Sequence, residues 1–136
     1  MIEEAPNQSA RDLGEHLGLV WGEVGPGSAA AHFVVQQHHM APNQYLHAAS
    51  VIALADSACG FGCVASLPQG AQNFTTIELK SNFLASARKG ETVACQATLA
   101  HGGRTTQVWD AQVNNETTGK TIALFRCTQM LLYPKP

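Results

Sequence analysis

One acidic residue stands alone in a stretch of small and apolar residues. The segment YLHAASVIALADSACGFGC, residues 45–63, contains Asp56 as its only acid. Burying a carboxylate on a smooth, non-polar surface costs free energy unless the group has a partner or a chemical function. The residues leave two interpretations open. Asp56 is either a functional carboxylate or a structural one, hydrogen-bonded to a backbone amide of a neighbouring subunit.

The histidines and cysteines form no recognisable metal or nucleophile motif. His38, His39 and His47 match no familiar ligand spacing, so no metal is expected. None of the cysteines belongs to a CxxC pair. All four are interpreted as buried, reduced thiols that pack as small hydrophobic residues: Cys59, Cys63, Cys95 and Cys127.

Composition limits the possible partners. The 136 residues suit one domain, and they are 45% hydrophobic and 13% charged, with a formal net charge of −2. This balance favours neither nucleic acid nor a membrane surface as partner. No apolar run approaches the roughly 18 residues of a membrane span, and the acidic N-terminus is unlike a secretory signal. A cytoplasmic protein is predicted, and its low charge favours an oligomer.

Local patterns predict the elements that position Asp56. Ser9 is a candidate N-cap for a short helix that ends near Gly18. Two strands, residues 18–24 and 28–37, flank the hairpin signal Gly25-Pro26-Gly27. A proline-containing loop follows, and then an alanine-rich, proline-free run from His47 to Ser66 predicts one long helix.

The second half of the chain alternates between apolar and polar residues. It predicts four strands with short turns, and hence an antiparallel meander, over residues 73–86, 91–101, 104–115 and 120–133. The order of elements predicts an α+β fold, in which one curved antiparallel sheet packs its apolar face on the long helix.

The two sides of the long helix differ in character. The residues opposite Asp56, at about 100° per residue, are predicted to face the sheet: Val51, Leu54, Ala58, Phe61 and Ala65. The side that carries Asp56 is mostly small and would let another backbone, a subunit or a ligand approach closely: Ala49, Ile52, Ala53, Gly60 and Cys63.

These residues resemble the PaaI-type branch of the hotdog-fold acyl-CoA thioesterases. The shared pattern is a histidine with two small residues, His47-Ala48-Ala49, and nine positions after the histidine an acid within Leu54-Ala55-Asp56-Ser57. The resemblance continues through TTIELKSNFLASARKG, GRTTQVWDAQV and KTIALFRCTQ, and it covers roughly residues 15–133. The order of elements also matches the hotdog fold, a curved antiparallel sheet wrapped around one long central helix.

The resemblance implies hydrolysis of an acyl-CoA or aroyl-CoA thioester to the free acid and CoA. It implies a homodimer, usually paired into a homotetramer (a dimer of dimers), with active sites at the subunit interface and no metal or redox cofactor. Asp56 would be the catalytic carboxylate, acting as general base on water or as nucleophile on the thioester carbonyl. The Ala48 amide would stabilise the oxyanion, because the first free amides of a helix are donors reinforced by the helix dipole.

Other residues receive roles from the same resemblance. His47 would hold its loop by hydrogen bonds or polarise the substrate carbonyl. Ser57 would contact substrate or bond back into the helix at i−4. Arg88 and Lys89 form a turn that contacts the CoA phosphates in relatives, the alternative being a merely solvated turn. The complete set of expected substrate-binding residues is Asn43, Gln44, Asn82, Phe83, Arg88 and Lys89.

The chain departs from the family pattern at two points. Most relatives have His-Gly-Gly, and the alanines at 48 and 49 keep the N–H but require negative φ angles. The orienting Gln or Asn six residues before the histidine is replaced by Ala41. Asn43 or Gln44 could take its role only with a shifted loop. These departures leave open a non-catalytic hotdog module that binds acyl-CoA or a related ligand. The hydratase branch of the fold is less favoured, because its Asp and His sit in a different loop arrangement.

Overall fold

A computed structural model describes residues 12–136, which form one six-stranded sheet around one long helix. All strand pairs are antiparallel, so the predicted α+β architecture is confirmed. A one-turn 3-10 helix, Gln37–His39, precedes the long helix. The remaining elements are α1 (Leu13–His16), β1 (Val20–Gly25), β2 (Ser28–Val34), α2 (Ala48–Ala65), β3 (Asn73–Phe83), β4 (Thr92–Gly102), β5 (Thr106–Asn115) and β6 (Thr121–Leu132).

The sheet order is β1-β2-β4-β5-β6-β3, which corrects the predicted four-strand meander. Only β4, β5 and β6 form a meander, because β3 pairs with β6 at the far edge. Residues 84–91 cross the ends of β6 and β5: the Leu84 amide donates to Ile122 O at 2.7 Å, and the Asn115 side chain reaches Ser86 O. Three strand spacings are about 15 Å, well within the reach of this segment. Turn residues mark where a strand ends, but they do not specify its partner.

The ends of the first elements are fixed by local hydrogen bonds. Asp12 Oδ1 accepts from the Glu15 amide at 2.9 Å and caps α1, while the predicted cap Ser9 lies outside the described residues. Gly18 follows α1 with φ +73°, as suits a helix C-terminus. The hairpin is confirmed, with Gly25 opposite Ser28. β2 stops at Val34, earlier than predicted, because the chain turns into the 3-10 helix.

The long helix begins and ends within one residue of the prediction, but its buried side is rotated. Val51, Leu54 and Ala58 are buried as expected. Phe61 is 51% exposed and Ala65 is exposed, so these two assignments to the sheet-facing side were wrong. The Phe61 ring instead packs on Trp21 of β1 at a centroid distance of 4.0 Å. The sheet curves around the helix, and it also buries residues predicted for the Asp56 side or left unassigned: Ala55, Cys59, Gly60, Gly62 and Cys63.

Contact between Trp109 and Gly62 brings α2 close to the sheet. Trp109 is fully buried, and a methyl group at Gly62 would lie 2.5 Å from its Cη2 atom. The indole N–H donates to Gln107 Oε1 at 2.8 Å, and Gln107 Nε2 donates to Ser66 O at 2.9 Å. The carboxamide therefore links the indole to the C-terminal end of α2.

The cysteines and the apolar helix are both interior features. All four cysteines are free and buried, as predicted. α2 is long and apolar enough to cross a membrane by length and composition, so the expectation that no run approaches a span was wrong. Half of that window is nevertheless buried inside the fold, as in the core helix of a globular domain.

We expect Gly62→Ala to destabilise the protein by about 1–3 kcal/mol, because the added methyl group overpacks the indole ring of Trp109. This exceeds the gain of up to about 1 kcal/mol in helix propensity. Urea unfolding followed by circular dichroism measures the difference. Gly25→Ala is the control, since a methyl group there meets nothing within 4 Å. Equal stability of the Gly62→Ala variant and wild type would contradict the close contact.

Candidate active site

Asp56 is half-buried in the middle of α2, and its carboxylate meets β3. Thr76 Oγ1 lies 3.1 Å from Asp56 Oδ1 and 2.7 Å from Gln129 Oε1. Gln129 is fully buried in β6 and is paired with Thr76 on the adjacent strand. The carboxylate therefore has a side-chain partner within its own chain.

The Thr76 hydroxyl has one proton and can donate to only one of its two neighbours. In one arrangement it donates to ionised Asp56, and the Gln129 amide group turns its NH₂ toward the hydroxyl. In the other arrangement, protonated Asp56 donates to Thr76, which donates to Gln129 Oε1. The protonation of Asp56 is thus coupled to the orientation of a buried carboxamide.

Burial raises the pKa of Asp56 above its ordinary value, and the hydrogen bond from Thr76 offsets part of this change. Desolvation penalises the charged carboxylate, whereas a donor to the carboxylate favours it. A carboxylate with a raised pKa accepts a proton more readily once it is ionised. This property suits a general base and distinguishes Asp56 from an ordinary surface acid.

A cavity of about 620 Å³ opens beside Asp56. Its walls come from α1, β1, α2 and β3, and Asp56 and Ser57 both line it. Within residues 12–136 the Ser57 side chain makes no hydrogen bond, so the predicted i−4 bond does not form there. A carboxylate and a hydroxyl are therefore both available to a molecule in this cavity.

The N-terminus of α2 is the second polar feature of the site. His47 caps the helix, because its Nδ1 accepts from the Ala49 amide at 2.9 Å. This bond places the proton of the neutral ring on Nε2. Ala48 is an exposed residue, and none of the residues from 12 onward accepts the hydrogen of its amide. Gln44 is the only described non-glycine residue with positive φ, so both alanines meet the conformational condition.

His39 holds the start of α2 and is not available as a metal ligand. Its Nδ1 accepts from the Gln36 amide at 2.9 Å, and its Nε2 lies 2.6 Å from Leu17 O. Burial lowers the pKa of His39, in keeping with a neutral ring. Its carbonyl accepts from the His47 amide and from Ser50 Oγ, at 3.0 and 2.9 Å.

The loop residues Asn43 and Gln44 are exposed and are engaged locally. Asn43 Oδ1 accepts from the Tyr45 amide at 3.2 Å. Gln44 adopts φ +70°, and its side chain donates to Pro42 O at 3.4 Å. Their roles in substrate binding stay predictions.

The expected phosphate turn lies at the same end of the fold as the start of α2. Leu46, just before the helix, donates its amide to Ser86 Oγ at 3.3 Å. Lys89 Nζ donates to Gln37 Oε1 at 2.9 Å, and the Arg88 side chain is exposed. Asn82 and Phe83 are also exposed, at the end of edge strand β3. The contacts of these four residues with substrate stay predictions.

Sequence reasoning missed the partners of Asp56. Thr76 and Gln129 are 53 residues apart and meet only because β3 pairs with β6. Side chains alternate between the two faces of β3, so Thr76 lies on the same face as Phe74. This alternation could have indicated that Thr76 faces α2. It does not reveal which strand the carboxylate meets.

Comparison with known proteins agrees with this fold. Residues 43–122 match the model of the Thioesterase superfamily. The chain is 32% identical over 116 residues to 1,4-dihydroxy-2-naphthoyl-CoA hydrolase of Listeria monocytogenes, covering 85% of this chain and 92% of that protein.

Two solved structures are also similar. The PaaI protein from the phenylacetic acid degradation operon of E. coli aligns with a TM-score of 0.79 and 26% identity, over 88% of this chain and 83% of its own. A thioesterase of Haemophilus influenzae aligns with a TM-score of 0.79 and 26% identity, over 88% and 82% of the two chains. The sheet and its central helix are therefore those of a hotdog-fold thioesterase. The chain belongs to the thioesterase superfamily, and its resemblance to the PaaI-type branch is confirmed.

We expect Thr76→Val to raise the pKa of Asp56 further, because the variant loses the hydrogen bond that favours the carboxylate. NMR titration of the aspartate carboxyl carbons measures this pKa. The neighbouring exposed Thr75→Val is the matched control and should leave it unchanged. An unchanged or lowered pKa in Thr76→Val would show that the hydroxyl does not stabilise the ionised carboxylate.

Proposed function

We propose that residues 1–136 form a single hotdog domain that hydrolyses acyl-CoA thioesters to the free acid and CoA, with Asp56 as its catalytic carboxylate. The observation that carries this proposal is a half-buried carboxylate with a raised pKa that opens on a cavity. The similarity to a CoA hydrolase supports the substrate class. Four free thiols suit the reducing cytoplasm, where we place the reaction.

Asp56 can act in either of two ways. As general base, it takes a proton from water while the water oxygen bonds to the thioester carbon. The tetrahedral intermediate then breaks its C–S bond to give the free acid, and the departing CoA thiolate takes the proton that Asp56 received from water. As nucleophile, the carboxylate bonds to the carbonyl carbon and expels the thiolate, and water then hydrolyses the mixed anhydride. The half-buried position of Asp56 supports both routes.

The Ala48 amide is our proposed oxyanion donor. It belongs to an exposed residue, has no acceptor among the residues after 11, and lies at the positive end of the α2 dipole. The free Nε2–H of His47 lies on the adjacent residue and could polarise the same carbonyl. Ser57, beside Asp56 on the cavity wall, is placed to contact the substrate or the attacking water.

The Ala48 amide and the Asp56 carboxylate of one chain are far apart for joint action on one carbonyl. Ala48 and Asp56 are eight residues apart on α2, which corresponds to about 12 Å along the helix axis. A reacting carbonyl must lie within about 3 Å of the donor and about 3.5 Å of the attacking atom. This separation supports a site in which a second copy supplies the helix N-terminus that faces Asp56.

Edge strand β3 offers a surface for that second copy. It is 11 residues long, and its exposed side chains include Ile77, Leu79 and Phe83. Long apolar edges pair readily with other strands. We place the homodimer contact at β3, and pairing of dimers into a homotetramer follows the family pattern.

The CoA moiety would lie near the start of α2. The Arg88–Lys89 turn is at this end of the fold and offers two cations to the phosphates. The loop residues Asn43 and Gln44 lie at the same end. Asn82 and Phe83 lie on edge strand β3, where a dimer would bring them to the subunit contact.

We expect Asp56→Asn to lower kcat by about 10²–10⁴-fold, because it removes the proton acceptor or nucleophile. Thiol release from a panel of purified acyl-CoAs measures the rate. Asp110→Asn is the matched control, since this acid is exposed on β5 and paired with Arg126. If wild type and Asp56→Asn are equally slow on every ester while calorimetry detects tight binding, the protein is a non-catalytic binding module.

We also expect two inactive variants to restore activity when mixed. Ala48→Pro removes the proposed oxyanion N–H at the first helical position, where proline is tolerated. His47 already has the extended φ and ψ, −67° and 132°, that a following proline requires. Random exchange with Asp56→Asn makes half of the dimers mixed, each with one intact site. The expected recovery is about a quarter of wild-type activity.

The controls for this mixture are each variant alone and a mixture in which the subunits do not exchange. Both should remain at the background rate. If the exchanged mixture also stays inactive while wild type is fully active, Ala48 and Asp56 of one chain serve the same site, and the two-chain arrangement is wrong.

A further inference from the structure

Gln129 is a polar side chain in the interior whose main partner is the Thr76 hydroxyl. It is fully buried, and its Oε1 lies 2.7 Å from Thr76 Oγ1. Its other end meets a weak partner, because Nε2 lies 3.5 Å from the Cys127 thiol. A buried carboxamide costs free energy unless it is well hydrogen-bonded, and an apolar side chain of similar size would fill this space at lower cost. The cost indicates that the contact with Thr76 has a function.

The two distances at Thr76 show which neighbour attracts its proton. Bonds of the O–H···O type are about 2.5–3.0 Å long, and those to an ionised carboxylate are about 2.5–2.7 Å. The contact with Gln129 lies within the first range, whereas the contact with Asp56 Oδ1, at 3.1 Å, is longer than both. The hydroxyl is therefore drawn toward the carboxamide, and its bond to Asp56 is weaker than an unopposed one would be.

From this geometry we infer that Gln129 is a positioning residue of the reaction, because its Oε1 competes with Asp56 for the Thr76 proton. The competition limits how far Thr76 stabilises the ionised carboxylate. A carboxylate that receives a weaker hydrogen bond is a stronger base toward water and a stronger nucleophile toward a carbonyl. Gln129 acts through Thr76 and is not itself a catalytic residue. This inference rests on the proposed thioesterase function and specifies what sets the reactivity of its carboxylate.

Other titratable groups also lie around Asp56 and its hydrogen-bond partners. They belong to α1, to α2 itself, to β6 and, in the proposed dimer, to the second copy: Asp12 and Glu15, Cys59, Cys127, and the second copy's His47. A hydrogen bond with Cys127 and burial raise the pKa of Cys59, so this thiol stays neutral. All of these groups remain when Gln129 is replaced, and a comparison of variants therefore isolates the effect of the carboxamide.

Gln129→Met tests the competition, because methionine is similar in size and offers no strong acceptor. We expect Thr76 then to donate fully to Asp56 and to lower its pKa. The acidic limb of the kcat/KM profile, measured with the best substrate among acetyl-, hexanoyl- and benzoyl-CoA, should move to lower pH. The plateau should fall about 3–10-fold through kcat, since a weaker base reacts more slowly. Gln112→Met, on the exposed face of β5, is the matched control and should change neither quantity.

Dependence on Thr76 is a readout that a merely structural role of Gln129 would not produce. In the Thr76→Val background there is no hydroxyl proton to compete for, so adding Gln129→Met should not shift the pH profile further. NMR provides a second measurement that leaves Gln129 in place. The side-chain amide signals of Gln129 should follow the titration of Asp56 in wild type and should not follow it in Thr76→Val. Melting temperatures check that every variant is folded.

The outcomes separate this inference from the proposed function. An acidic limb that stays in place or moves to higher pH in Gln129→Met overturns the role of Gln129, and so does an equal shift with threonine or valine at position 76. The thioesterase stands in either case, provided that Asp56→Asn abolishes turnover. If wild type hydrolyses none of the esters, the thioesterase is rejected, and the NMR titration still decides whether Gln129 competes with Asp56 for the Thr76 proton.

Discussion

The close approach of α2 to the sheet is the constraint on which the rest of the structure depends. Gly62 lets the Trp109 indole lie against the helix, and Gln107 links that indole to Ser66 at the helix end. With this end fixed, α2 lies deep enough in the curved sheet for Asp56 to be half-buried. The desolvation that raises the pKa of Asp56 therefore results from the packing of Gly62 against Trp109, about one and a half turns further along α2. A helix held further out would present an ordinary, hydrated carboxylate.

The other end of α2 is fixed by polar contacts instead of apolar ones. His39 is neutral and buried, with both ring nitrogens bonded to the backbone, and its carbonyl receives the His47 amide and the Ser50 hydroxyl. His47 then caps the helix through Ala49, and no acceptor for the Ala48 amide lies among residues 12–136. One helix thus carries a desolvated acid in its middle and an open amide at its start, and both ends are held independently.

Local sequence patterns predicted the parts of this arrangement that are local. The alanine-rich run gave the correct bounds of α2, and Gly25-Pro26-Gly27 gave the hairpin, because helix propensity and turn geometry depend on neighbouring residues. The prediction of a four-strand meander was wrong, because β3 pairs with β6 and the segment after β3 crosses the ends of two strands. The prediction of which side of α2 is buried was wrong at Phe61, because the ring of Phe61 packs on Trp21, outside the core. Thr76 and Gln129 could not be assigned to Asp56, since their contact arises only from long-range strand pairing.

The resemblance implies two glycines where this chain has Ala48 and Ala49. Glycine there could serve a left-handed backbone, or it could leave space around the amide. If glycine were needed for a left-handed backbone, Ala48 and Ala49 would be strained. Both alanines instead have negative φ, and the strain in this region falls on Gln44, in the preceding loop. The backbone donor is therefore retained without conformational cost, and the methyl groups change only the space around it. The methyl groups of Ala48 and Ala49 therefore reduce the room at the helix N-terminus, and the Ala48 N–H remains a backbone donor there.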